Sequence, residues 1–392
     1  MKKIIDISII LLNTILKAIT HLMMPFTVFL LIAQHVYLLT NHYKSGKILF
    51  QKLLNPVYQS QKFKSKRSFS VSHFYNILIW IIIIVTFTIT RVSAFQQIKS
   101  EIQIKSDNDF FIPIRNQDHY YTYGQKIIYR KKLSTTNGFL MGMDQILNAR
   151  KSEHIFEIEI GQEAYTPGNP NTIDSRNFDR PFAGWLYVSP KATLISERKI
   201  VTIEIEVGVM GPASFSGKIQ NFFHENISHD DPLSGWQYQI QNKVGINIIA
   251  TYILPLLHSK YVDLTMENNL KVGSQSTFIE SGGRIRIGWF NAHDNSMSFH
   301  TNIAGKVFKP ELFIDFSNHI RLIGYNATLN FPELERNENI SQEINNLQSM
   351  YSLGFNFNVR RFGSSFRYHL VGGDFTNLNA HTYGSLDLFF RI

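Results

Sequence analysis

The sequence predicts an all-β fold: a transmembrane antiparallel β-barrel of about 12 strands, carrying a short α-helix in an extracellular loop. Three observations predict it. Apolar and polar residues alternate with a period of two through most of residues 95–392. The alternating runs reach or exceed the roughly 9–11 residues that cross a bilayer as a tilted strand. Aromatic residues, 13% of the chain, recur near the strand ends, as the girdles of membrane barrels do. A soluble sandwich also alternates, but run length and aromatic placement favour the barrel. The 298 residues from Phe95 to the end, at roughly 25 per strand and connection, allow about 12 strands.

Residues 1–94 stand apart. They hold 11 of the 39 Lys and Arg but one of the 30 Asp and Glu, Asp6, so the net charge of +9 resides here. The remainder has 28 basic and 29 acidic residues. The high isoelectric point therefore describes the tail, and nucleic-acid binding by the folded part is not implied. Lys62, Lys64, Lys66 and Arg67 precede the apolar run Ile77–Ile89, and Val92-Ser93-Ala94 ends in small residues before Phe95. That is the order of a secretory signal over 62–94. The alternative is a membrane anchor, for which the run is short of the ~20 residues a spanning helix needs. A second apolar stretch, 4–40, is interrupted by Lys17, His21 and His35. It reads either as a membrane segment or as sequence upstream of the true start. The expected organisation is an N-terminal helical targeting region, 1–94, and an exported barrel, 95–392. The chain has no cysteine, and an exported protein need not use disulfides.

Along the exported part, Ile98, Ser100, Ile102 and Ile104 alternate with Lys99, Glu101, Gln103 and Lys105. Phe156, Ile158 and Ile160 alternate with Glu157, Glu159 and Gly161. Val201, Ile203, Ile205, Val207 and Val209 alternate with Thr202, Glu204, Glu206, Gly208 and Met210. Further strand candidates are 183–193, 236–250, 261–272, 278–290, 310–330, 350–371 and 382–392, several long enough to hold hairpins. The charges on the polar face suit a hydrogen-bonded lumen. One stretch breaks the alternation. After Gly211-Pro212-Ala213-Ser214, the spacing of Ile219, Phe222 and Phe223 predicts an amphipathic helix of about three turns. Gln220 and His224, four apart, share one face of it. Pro232 and Gly235 end the loop.

Two groups of residues suit chemistry. The first strand ends in Asp107-Asn108-Asp109 and the next begins Tyr121-Thr122-Tyr123-Gly124, so carboxylate, amide and hydroxyl groups meet at one junction. Asn108, Asp109 and Thr122 suit a hard cation such as calcium, which takes oxygen ligands; they equally suit a turn. His224 is the candidate base of the exported part. Asp230 and Asp231 follow it, and a carboxylate on one ring nitrogen would leave the other to take a proton. Ser214 is a weaker candidate nucleophile. There is no GxSxG elbow, HExxH or P-loop.

These blocks carry a resemblance. DNDFF, DHYYTYG, GQEAYTP (161–167), DRPFAGWLY (179–187), GVMGPASFSGKIQNFFHE (208–225) and DDPLSGWQYQIQN (230–242) occur in this order. Together they resemble the lipid A 3'-O-deacylases of Gram-negative outer membranes (LpxR-like). The blocks fall within roughly 101–250. The C-terminal third resembles the family in strand pattern alone. The resemblance implies a 12-stranded barrel with its active site between the outer part of the wall and a loop helix, and it implies calcium dependence. It implies metal ligation by Asn108 and Asp109 with Asp230, and catalytic roles for His224, Gln220 and Thr122. The family often has Glu at the position of Asp230. Arg180 would meet a lipid A phosphate or pair with Asp179. The expected partners are lipid A and outer-membrane lipid, the expected state a monomer, and the expected place the Gram-negative outer membrane. A serine-dependent outer-membrane phospholipase and a non-enzymatic porin-like barrel are the alternatives.

Overall fold

In a computed structural model, the described residues are 99–392 apart from 109–110, 112–119, 135–137, 148–151, 172–173, 175–177, 229, 306–308, 330–343 and 376–379. The expected targeting region and Asp109 lie outside them. Twelve strands close into one antiparallel barrel in sequence order. They are β1 (Ser100–Asn108), β2 (Tyr120–Lys132), β3 (Glu153–Thr166), β4 (Ala183–Ile195), β5 (Ile200–Met210) and β6 (Lys243–His258). They continue with β7 (Val262–Gly273), β8 (Ser276–Trp289), β9 (Glu311–Asn326), β10 (Leu347–Val359), β11 (Phe362–Val371) and β12 (His381–Arg391). Closure is made by β1 and β12, with Ile104 opposite Leu388. Among the described residues no helix is long and apolar enough to cross a membrane.

The alternation sorts side chains between two environments. Ile104, Ile127, Ile160, Val188, Val207, Ile246 and Ile279 are exposed on the outer face, where lipid replaces water as their partner. The inner face is charged and paired. Arg130 and Arg391 both reach Glu101, at 3.2 and 3.1 Å. Lys191 bridges to Glu159 at 2.6 Å, Lys271 to Glu206 at 2.7 Å and Arg367 to Asp315 at 2.7 Å. A charge removed from water needs a partner of this kind.

Even strand number puts Ser100 and Arg391 at one rim, together with the tight turns 196–199, 259–261 and 360–361. That rim is periplasmic, and the opposite one, with the long connections 167–182, 211–242 and 327–346, is extracellular. The β8–β9 connection folds back into the periplasmic mouth. Phe299, Ile303 and Ala304 pack on the inward Ile155, Ile195 and Ile200 of β3, β4 and β5. Met297 packs on Phe313 and Phe389 of β9 and β12. Asn302 donates to Glu101 at 3.0 Å, and Lys132 donates to Ala304 O at 2.6 Å. The segment thus crosses the mouth from wall to wall.

The run 350–371 holds a hairpin, β10 and β11, as its length allows. Two details depart from the sequence reading. The run 236–250 does not begin a strand at Trp236, because Ser234–Tyr238 is a 3-10 turn and β6 starts at Lys243. A helix that alternation does not reveal, α1 (Gly138–Ile146), lies in the β2–β3 connection.

Candidate active site

The long β5–β6 connection begins with a turn only glycine makes easily. Gly211 has φ +80, and a Cβ there would lie 2.6 Å from Ile240 O. A 3-10 turn, Gly211–Ser214, leads into α2 (Ser216–Phe223), which continues as a π-helical turn through His224–Ser228. The predicted helix is therefore present at the predicted length, with its apolar face turned outward. Ser216, Gly217, Gln220 and His224 face the protein, while Ile219, Phe222 and Phe223 are exposed, Phe222 at 62%. In water this arrangement would be costly. Beside a bilayer the apolar side is the outer one.

The helix lies on the outward face of the barrel wall. Gly184, in phase with outward Val188, would drive a Cβ into Ser214 Oγ and Ser216 Oγ. Gln162, in phase with outward Ile160, donates to Ser214 O at 2.6 Å, and Tyr123 donates to Ser216 O at 3.0 Å. Beneath the helix, Tyr123, Ala164, Phe178, Phe182, Leu233 and Trp236 form one buried cluster. Trp236 closes against the helix. Its indole Nε1 donates to Gln220 Oε1 at 2.9 Å, and its ring fills the space a side chain at Gly217 would need. Asn221 ties the returning chain to α2, accepting from Leu233 N at 2.9 Å.

His224 is buried at the helix end, with Nδ1 3.1 Å from Asp231 O. A carbonyl only accepts, so Nδ1 carries the hydrogen and the ring's lone pair is on Nε2. A main-chain carbonyl thus orients Nδ1. Asp230 is exposed, and its amide donates to His224 O at 2.9 Å.

The strand-end residues arrive at the same face. Asn108 ends β1, in phase with the lipid-facing Ile104 and opposite Tyr123. On β2 the pairing with β3 slips at Thr122, between Tyr121 and Tyr123. Such a bulge re-aims side chains. Tyr121 turns into the lumen and donates to Asp107 at 2.9 Å. Thr122, 2% exposed, meets Thr166 Oγ1 at 2.8 Å, and Thr166 is in phase with Ile160, on the outer side. Asn108, Thr122, Gln220 and His224 therefore share one outward, extracellular part of the wall at β1–β4. Their oxygen donors, with Asp230, are hard ones and suit calcium. Among the described residues no group of three His, Asp or Glu side chains forms a ready-made metal cluster.

Arg180 is placed elsewhere. It is 1% exposed and lies over the ring of inward-phase Tyr165 at 4.7 Å. It donates to Asp374 at 2.5 Å, Thr328 Oγ1 at 3.2 Å and Tyr120 O at 3.4 Å. Its ionic partner is Asp374 and not Asp179, which instead accepts from Tyr120 OH and Gly168 N. Ser214 is fully buried, its hydroxyl donating to Gly211 O at 2.6 Å. Trp236, Tyr123, Gln162 and Asn221 support the site and escape sequence reasoning, since only the folded loop brings them together.

Comparison with known proteins agrees with this architecture. A family described as outer membrane protein LpxR matches residues 78–392. No curated protein sequence matches the chain. LpxR from Salmonella typhimurium superposes with a TM-score of 0.58 at 18% identity, over 74% of this chain and 100% of that one. At that identity the likeness is one of fold. The β-domain of the Bordetella autotransporter BrkA aligns with a TM-score of 0.37 at 8% identity, over 76% and 99% of the two chains.

Proposed function

Because the chain belongs to the outer membrane protein LpxR family and is a Gram-negative outer-membrane barrel, we propose that it is a lipid A-modifying enzyme, a hydrolase that removes the 3'-linked acyloxyacyl group. The observation that carries this reading is the position of the candidate groups. Asn108 and Thr122 stand on the lipid-facing side of the wall, beside a helix that docks on Tyr123 and on β3 and β4 and supplies Gln220 and His224. A substrate held in the outer leaflet reaches that face sideways, without a lumenal path.

In the proposed reaction His224 takes a proton from water through Nε2 while Asp231 O holds Nδ1–H. The water oxygen adds to the ester carbonyl. The 3' oxygen then leaves and receives the proton, giving a free acid and a 3'-hydroxyl. Gln220, set by the indole of Trp236, and Thr122, set by Thr166, hydrogen-bond the water or the ester. Asn108 and Asp230 would hold calcium together with Asp109; bound there, the ion supplies Lewis-acid polarisation of the carbonyl. No covalent acyl-enzyme is needed.

Two alternatives find less support. A serine mechanism would need Ser214 Oγ to leave Gly211 O and become accessible. A porin would need an open path, whereas residues 297–304 pack across the periplasmic mouth. The test is mass spectrometry of lipid A from a Gram-negative host expressing the chain. The reading requires loss of the 3' acyloxyacyl group, abolished by His224→Ala and by calcium chelation but retained in Ser214→Ala. Unchanged lipid A from a correctly inserted wild-type barrel would sink it.

A further inference from the structure

Helix α1 sits in a connection on the periplasmic side, where a water-exposed helix would be the ordinary expectation. Its contacts contradict that. Leu140 and Met143 are buried against Leu194, Ala192 and Ile203. Ala192 and Leu194 are in phase with the lipid-facing Val188 on β4, and Ile203 with the lipid-facing Ile205 on β5. So α1 is docked on the outer surface of the wall, not over the lumen.

The helix is pinned there by polar bonds at its C-terminal end. His154 and Ser152 meet Asp144 Oδ1 at 3.1 and 2.5 Å, and Lys199 donates to Leu147 O at 2.5 Å. The side left over carries two large apolar residues, Met141 at 53% and Ile146 at 85% exposure, with Gln145 between them. Lys131, in phase with lipid-facing Ile127 and Tyr129, stands exposed on the same rim.

Depth along β4 says what covers that face. Gly184 lies under the loop of α2, and Ala192 lies under α1. Eight residues at ~3.4 Å each, tilted by about 40°, correspond to about 21 Å of depth, close to the ~25 Å apolar band of an outer-membrane barrel. The two helices therefore sit at the two boundaries of the hydrocarbon layer, on the same stretch of wall. Met141 and Ile146 lie at the periplasmic end of the lipid-facing belt, and the outward Lys131 complements anionic headgroups.

We propose that α1 is an interfacial helix, whose Met141 and Ile146 enter the boundary of the periplasmic leaflet and whose partner is phospholipid. The inference rests on the outer-membrane fold and not on the hydrolase reading. The absence of cysteine permits a clean test: Ile146→Cys, Ile160→Cys and Glu197→Cys variants of the full chain, each labelled with an environment-sensitive fluorophore. They are reconstituted in vesicles of phosphatidylethanolamine and phosphatidylglycerol carrying spin-labelled lipid. The barrel fold of each is checked by its heat-modifiable mobility on gels. The label at Ile146 should show blue-shifted emission and stronger quenching by a spin label near the headgroup than by one at the chain end. Ile160, in the belt, should be quenched most by the deeper label, and Glu197, in the β4–β5 turn, by neither. An Ile146 label that behaves like the Glu197 label overturns the proposal. Because the vesicles contain no other protein, such a result would leave a periplasmic protein as the partner of this face.

Discussion

Removing the indole N–H of Trp236 is the most direct way to ask whether α2 is held for catalysis. Trp236→Phe keeps an aromatic ring against Phe182, now 5.0 Å away, and against the backbone at Gly217. It deletes the 2.9 Å bond to Gln220 Oε1. Taking the donor from a buried amide oxygen costs about 1–3 kcal/mol. If the loss falls on the geometry of Gln220 and His224 in the transition state, kcat drops by roughly 5- to 150-fold, at 1.4 kcal/mol per tenfold. Trp236→Ala also empties the cluster under the helix, about 3–5 kcal/mol for a large aromatic, and should release α2 from the wall. The assay is deacylation of purified lipid A in detergent micelles, kcat and KM determined separately. Hydrogen exchange of residues 216–228 is measured alongside, with gel mobility to show that the barrel is intact. Trp236→Phe should lower kcat with little change in KM, and Trp236→Ala should lower both and raise exchange in α2. A Trp236→Phe enzyme with wild-type kcat would refute the argument that the indole positions Gln220, and an active Trp236→Ala enzyme would refute a catalytic role for the docked helix.

Other outcomes follow from the same geometry. Thr122→Val keeps the shape but loses the hydroxyl that meets Thr166; it should abolish most deacylation, with Thr122→Ser retaining it, and equal activity of the two would remove Thr122 from the site. Arg180→Ala leaves Asp374, part-buried at 14% side-chain exposure, without its cation, at less than the about 3–5 kcal/mol of a fully buried pair; limited proteolysis of the extracellular loops should accelerate. A rise in KM with unchanged proteolysis would assign Arg180 to a substrate phosphate instead. His300, outside the strands, has its pKa held well below the usual histidine range, first by burial and then by Arg130 and Lys191. The folded state therefore favours the neutral ring: the stabilisation is complete above the unfolded value of about 6.5 and is lost as pH falls below it. Hydrogen exchange of 290–305 should rise in acid in the wild type and less in His300→Asn, which tolerates the positive φ; identical profiles would refute the link.

Much of the barrel is legible because a period of two has only one physical solution at a bilayer. Val201 to Met210 alternates cleanly since its two faces see lipid and paired charge. What alternation cannot carry is anything that leaves the strand lattice. Residues 138–147 have Leu140, Met143 and Leu147 at helical spacing, but Gly138 and Gly142 dilute the pattern, and the groups that pin the helix come from the start of β3 and from the β4–β5 turn. Residues 290–305 contain only short 3-10 turns, so nothing periodic announces that they fold into the mouth. Gln220 and His224 were readable as one face. Which face was buried was not, because the rule that apolar residues point inward assumes water outside.

The outward apolar face of α2 and the bulge at Thr122 belong to one solution. A barrel wall offers its outward positions to lipid, so polar groups there need cover. Placing Asn108 and Thr122 on that side without cover would leave amide and hydroxyl groups against hydrocarbon, at several kcal/mol each. The β5–β6 connection supplies the cover with its own polar face: Ser216 accepts from Tyr123, and Gln220 accepts from the Trp236 that packs between. Its apolar residues, Ile219, Phe222 and Phe223, restore the lipid-facing surface one layer further out. The bulge then lets Thr122 join the outward set while returning Tyr121 to Asp107 in the lumen. Polar groups are thereby enclosed between wall and helix, toward the extracellular end of the lipid-facing surface.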